Sequence, residues 1–187
     1  MFKRTFSYLI FGLFLFALMS CTQEKSKQET AEQTAAKKQW RTAVATMAPT
    51  TGNTAHGTVT FTEVDGGIKV NVHLEGVPEG KHGFHIHENG DCGNDGKAAG
   101  GHWNPEGKPH GSPDSTQHHI GDLGNVTANA DGVVDSEVVY SFLTFDGENS
   151  ILGKGVILHA KADDLTSQPT GAAGARIACG VITLQEK

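Results

Sequence analysis

The chain has little that would draw it to nucleic acid or to an anionic surface. Of its 187 residues, 15 are Lys or Arg against 21 Asp or Glu, a formal charge of −6. Proteins that grip phosphates carry a basic face or stripe, so this balance argues against nucleic acid as a partner and against electrostatic attraction of the folded domain to a membrane. Aromatic residues are scarce as well, at 7%. The one long apolar run, Thr5 to Met19, falls short of the roughly 20 residues a spanning helix needs. Low aromatic content beside 24 glycines and repeated short alternating segments favours an all-β domain with many turns. The length suits one substantial domain with its own core.

The N-terminal segment stands apart. "MFKR" supplies a positive start, an apolar stretch follows, and "LMSC" ends it with small Ser20 before Cys21. It resembles a bacterial lipoprotein signal, in which the chain is cut before the cysteine and that thiol is lipidated; Met19 is a less usual member of the box. Residues 1–20 are therefore expected to be a signal peptide, with Cys21 the lipid-bearing N-terminus, and the alternative is an uncleaved anchor. Either places the rest outside the cytoplasm, on the periplasmic or exterior face of a bacterial envelope. Residues 21–39 include "TQEKSKQETAEQTAAKKQ", which cannot bury enough apolar surface to order itself and reads as a tether.

From Trp40 to Lys187 the character changes. Alternating segments "TAVATM", "HGTVTFTEV", "GIKVNVHL", "GKHGFHIHE", "VVDSEVVYSF", "ILGKGVILHA" and "RIACGVITL" are separated by turn signals such as "DGG", "PEG" and "ADG". They predict an antiparallel Greek-key sandwich or barrel of seven or eight strands.

One strand carries unusual chemistry. In "HGFHIHENGDC", His85 and His87 are two apart, so in an extended chain their imidazoles share a face, while Phe84 and Ile86 point to the core side. Two nitrogen donors on one spot suggest a metal. A long aperiodic segment, Gly93 to Asp122, then contributes His102, His110, His118, His119 and Asp122. Loops of this length in compact domains are functional or disordered, and a merely flexible loop has no reason to concentrate histidine. A metal held by such a loop replaces the apolar contacts it lacks.

With His159 in "GVILHAKADD", the "AGGHWNP" and "HHIGD" pieces and the terminal "ARIACGVI", the ordered series from about Ala43 to Leu184 resembles copper/zinc superoxide dismutase. The resemblance implies copper on His85, His87, His102 and His159, and zinc on His102, His110, His119 and Asp122. His102 is then a bridging imidazolate, reasonable between two cations. All-imidazole coordination suits copper that changes oxidation state, and a histidine and carboxylate tetrahedron suits redox-silent zinc. Asp163 would link a copper histidine to a zinc histidine and fix their tautomers. His82 would pack and hydrogen-bond behind the site, Cys92 and Cys179 would form the family's disulfide, and Arg176 would attract superoxide beside copper. His102 would also carry one of the protons that turn superoxide into hydrogen peroxide. His118 falls where the family usually has a surface residue, and His56 and His73 read as solvent-facing.

The segment "DDLTSQPTGAAGAR" lacks the glutamate pair and lysine that many family members place around the channel, and Pro169 stands where a lysine is expected. Long-range steering of the anion is thereby weakened. Removal of residues 1–20 would leave 13 bases against 21 acids. Family members pair through different sheet surfaces, so a homodimer is compatible with the sequence. Two other classes compete with the dismutase reading. A copper-binding or copper-delivery module would be expected to lack ligands or the arginine, and a three-histidine zinc hydratase would leave Asp122 and the extra histidines unexplained.

Overall fold

A computed structural model describes residues 39–186 of the chain. The expectations for residues 1–20, for Cys21 and for nearly all of the tether fall outside those residues. Trp40–Lys187 forms one compact unit.

Nine strands follow one another: β1 (Thr42–Pro49), β2 (His56–Val64), β3 (Gly67–Glu75), β4 (Gly80–His87), β5 (Asp122–Ala128), β6 (Val134–Tyr140), β7 (Gly155–His159), β8 (Arg176–Val181) and the two-residue β9 (Thr183–Leu184). Eight run in the hydrogen-bonded order β5-β4-β7-β8-β1-β2-β3-β6, and β9 pairs with β1. All ladders are antiparallel. The β3 to β4 and β6 to β7 connections cross between non-neighbouring strands, which makes the topology a Greek key. No α-helix occurs among the described residues.

The sheet curls into a nearly closed barrel whose two ends, β5 and β6, meet at a seam. There the Tyr140 hydroxyl donates to the Leu123 carbonyl at 2.9 Å. Burial pushes the Tyr140 pKa up to about 12, so this phenol keeps its proton and the seam keeps its bond.

The core follows from strand parity. β3 buries Ile68, Val70, Val72 and Leu74 and turns Lys69, Asn71 and His73 outward. Ala43, Ala45 and Met47 from β1, Val59 and Phe61 from β2, Phe84 and Ile86 from β4, and Val156 and Leu158 from β7 fill the same interior. At about 1.5–3 kcal/mol for each fully buried Val, Leu, Ile, Phe or Met side chain, this interior rather than the loops holds the barrel together.

The strand registers match seven of the segments expected from the alternation. β5 was not among them. It begins at Asp122, the last residue assigned to the long loop, and its buried apolar residues Leu123, Val126 and Ala128 break period two. The cause is a register shift against β4 between Gly83 and His85, which a bulge produces by adding an unpaired residue.

Candidate metal centre

The outer face of β4, β7 and β8 is covered by the segment 88–121. It contains one 3-10 turn, Lys97–Ala99, and Ala99 packs with Ile157 and Cys179 in a small apolar cluster beneath the loop. Cys179 is joined to Cys92, so the expected disulfide is present and closes a separation of 87 residues. The other end of the loop is pinned by backbone bonds. Trp103 N donates to Ile86 O, Gly121 N to Trp103 O, and Ile86 N to Gly121 O, at 2.8 to 2.9 Å. A side chain at Gly121 would collide with the Ile86 carbonyl, so glycine is required for this approach. His102 is thereby placed as an isolated bridge partner of His87.

Two four-donor groups result, both fully buried: His85, His87, His102 and His159, and His102, His110, His119 and Asp122. Within each, one donor atom per residue lies within 4.8 Å of the others. His102 belongs to both. Three ring nitrogens converge on a single oxygen, Asp122 Oδ1: His102 Nδ1 at 2.7 Å, His110 Nδ1 at 3.0 Å and His119 Nδ1 at 3.2 Å. The other oxygen of Asp122 accepts the backbone N–H of His119 (2.8 Å) and Gly111 (3.0 Å), which aims Oδ1 at the rings.

The donor set fits cations. His85 Nδ1, His102 Nε2, His110 Nδ1 and His119 Nδ1 are buried without an aligned hydrogen-bond partner, at a cost the fold would not bear unless they had another role. In the first group burial, followed by the neighbouring rings, pushes the pKa of His87 down to about 2 and that of His159 down to about 3. Burial likewise takes His102 to about 4, against the pull of Asp122. All three are neutral at pH 7, with lone pairs free to ligate. In the second group burial opposes charge, but Asp122 and Asp163 overcome it and raise His110 to about 9. Asp122 itself stays ionised far below the usual carboxylate range because the facing imidazoles outweigh its desolvation. One pocket therefore offers neutral nitrogens and the other demands positive charge.

Asp163 joins the two. Its Oδ2 faces His85 Nε2 at 2.8 Å and its Oδ1 faces His110 Nε2 at 3.0 Å. Each ring donates N–H there, which leaves Nδ1 as the donor atom. Asp163 is held in turn by Asn125 on β5, whose Oδ1 accepts the Asp163 N–H (2.7 Å) and whose Nδ2 donates to the Asp163 carbonyl (2.9 Å). Gly171, at φ +63°, comes so close to Asp163 and His110 that any side chain would collide with both. Neither Asn125 nor Gly171 was singled out in the sequence, and an asparagine in an edge strand carries no motif that would do so.

His82 is buried behind the site, with Nδ1 at 2.8 Å from the His159 carbonyl and Nε2 at 2.7 Å from the Pro78 carbonyl. Arg176 is half-buried, and its two terminal nitrogens donate to the carbonyls of Gly96 and Gly100. Gly100 O also accepts from His87 Nδ1 at 3.0 Å, so the guanidinium and one imidazole of the first donor group share one anchor. His118 departs from the surface position expected for it. It is buried, its ring lies 4.4 Å from that of Phe142, and its Nδ1 donates to the His119 carbonyl at 2.6 Å. Phe142 supplies the cover that a neighbour-by-neighbour reading does not reveal.

The family model described as copper/zinc superoxide dismutase (SODC) matches residues 55–182. The extracellular Cu-Zn superoxide dismutase of Drosophila melanogaster is 47% identical over 137 residues, covering 69% of this chain and 76% of that protein. The extracellular Cu-Zn superoxide dismutase of Caenorhabditis elegans is 45% identical over 138 residues, covering 70% of this chain and 62% of its own length. Among solved structures, that of the clock protein EA4 aligns with a TM-score of 0.72 at 39% identity, covering 77% of this chain and 94% of that one.

Proposed function

This chain belongs to the copper/zinc superoxide dismutase family, and we propose that it disproportionates superoxide outside the cytoplasm, turning two superoxide anions and two protons into dioxygen and hydrogen peroxide. The observation that carries this reading is the junction of two buried four-donor groups on one imidazole, His102. His85, His87, His102 and His159 would hold copper, and His102, His110, His119 and Asp122 would hold zinc. Copper held there would supply a one-electron redox couple, and zinc would add fixed positive charge.

The protein's own groups do the rest. Arg176, permanently charged and clamped on two loop carbonyls, attracts and orients the anion. His102 Nε2, which has no protein partner, would take up a proton and hand it to the product, while Nδ1 stays turned to Asp122. Asp163 keeps the Nε2 protons of His85 and His110 engaged, and His82 steadies the His159 backbone. Metal content measured together with pulse radiolysis tests the assignment. Arg176→Ala should lower the second-order rate constant at least tenfold, within the ~10–10³ range of electrostatic focusing, with both metals retained. Asp122→Ala should shed zinc and keep copper. Loss of copper with zinc retained would invert the two sites.

The extracellular relatives and the "LMSC" box together support an exported, membrane-tethered enzyme. Residues 1–20 are removed, Cys21 is acylated, and 22–39 tether the domain to a bacterial envelope membrane. Mass spectrometry of the mature protein checks this: Cys21 should carry lipid, and Cys21→Ser should release active soluble enzyme.

A further inference from the structure

Of the ten histidines eight are buried, and the two that are not, His56 and His73, face the same carboxylate on the far side of the sheet. Strand register builds this arrangement. His56 on β2 stands opposite Glu75 on β3, and His73, two residues before Glu75 and on the same outer face, stands opposite Asp135 on β6. His56 Nε2 lies 3.9 Å from Glu75 Oε2, and His73 Nε2 lies 3.8 Å from Glu75 Oε1. These distances exceed a hydrogen bond.

The remaining ring nitrogens are engaged. His56 Nδ1 donates to the Thr54 carbonyl at 2.8 Å, and His73 Nδ1 donates to Asp135 Oδ1 at 2.6 Å. Both neutral rings therefore carry their proton on Nδ1 and turn the Nε2 lone pair toward Glu75. A backbone carbonyl or a carboxylate behind a ligating imidazole is the arrangement that fixes its tautomer and strengthens its donor nitrogen. The hydrogen bond to Asp135 raises the His73 pKa, which is greater basicity of that ring.

We propose that His56, His73 and Glu75 form a second, exchangeable site on the outer face of β2 and β3 for a divalent transition ion, Cu²⁺ or Zn²⁺, with Thr54 and Asp135 orienting the two rings. Two imidazoles and one carboxylate select these ions over Mg²⁺ or Ca²⁺, which prefer oxygen-only sets. Ligand atoms around zinc are roughly 3.3 Å apart, given ~2.0–2.1 Å bonds; unlike the two buried groups, these three donors do not all stand within 4.8 Å of one another, so the two rings must swing toward each other as well as toward the carboxylate. Their exposures of 57–60% leave them free to do so. This site is independent of the dismutase reading, because it shares no residue with the buried groups.

The test uses the full chain loaded with one copper and one zinc, then titrated with Zn²⁺ by calorimetry and with Cu²⁺ by electron paramagnetic resonance. A third equivalent should bind. Either His56→Ala or His73→Ala should abolish it without changing the melting temperature, Asp135→Asn should weaken it about 10–100-fold, and Thr58→Ala, a neighbour of His73 across the ladder, should leave it intact. Absence of a third equivalent, or one that survives either histidine substitution with unchanged affinity, overturns the proposal.

Discussion

β3 and β4 are neighbours in sequence and similar in length, yet they obey different rules. β3 alternates strictly, with Ile68, Val70, Val72 and Leu74 inside and polar residues outside. β4 is buried on both faces from His82 onward. The difference is what lies over the outer face: open solvent above β3, the segment 88–121 above β4. Histidine shows the consequence. Burial takes His87 on β4 down to about 2, whereas Asp135 raises His73 on the uncovered β3. The same side chain becomes a neutral ligand or a basic surface group according to its roof.

Acidification should break the comparison most strongly. In protein stripped of metal by chelation, the unfolded chain binds protons near pH 6.5, whereas folded His102, His159 and His87 resist until about 4, 3 and 2. Protons therefore favour the unfolded state, and stability falls as pH drops below ~6.5, by about 3 kcal/mol for each of the two most depressed rings at pH 4. His110 has the opposite sign: its raised pKa of about 9 gives stability that is complete below ~6.5 and is lost as pH rises through 9. Urea midpoints against pH should peak near neutrality, and His73→Ala should change the profile far less than loss of a buried ring, because solvent screens its pairing with Asp135. A flat profile would mean that the rings are not held neutral.

Next in size is the tie between roof and barrel. Cys179→Ser opens an 87-residue closure worth ~4–5 kcal/mol in the chain-entropy model, and chemical denaturation should register that loss. Because Arg176 and His87 share the Gly100 carbonyl, the rate constant should fall even in the folded fraction. Gly171→Ala should cost about 1–2 kcal/mol for its left-handed backbone and displace Asp163 from His110, with zinc affinity falling more than stability. Smallest is Thr60→Ala on the outer face of β2, expected within ±0.5 kcal/mol and without effect on metal content or rate.

What the sequence disclosed follows the same division. β2 and β3 were legible because one face is wet, so period two survives in residues such as Phe61 and Val70. The members of the two donor groups were legible because metal chemistry restricts residue types and the spacing of His85 and His87 needs only strand parity. β5 escaped because the bulge against β4 breaks its alternation at Asn125. The burial of His118 escaped because it depends on Phe142, twenty-four residues away in sequence. The covered half of the barrel is written in contacts distant along the chain, and local patterns do not carry them.

The Asn125 clasp on Asp163 makes the overlooked edge strand a reference mark for alignment. Asp163 touches rings in both donor groups, so any displacement of β5 along β4 is transmitted to both at once. β5 has a strand ladder on one side only, its other side being held to β6 at the Tyr140 seam, and is the natural place for this barrel to loosen. Here loosening cannot happen silently: a slip of one residue would turn Asn125 to the other face and leave Asp163 unaligned. The weakest margin of the scaffold thus serves as the gauge of whether the site is in register.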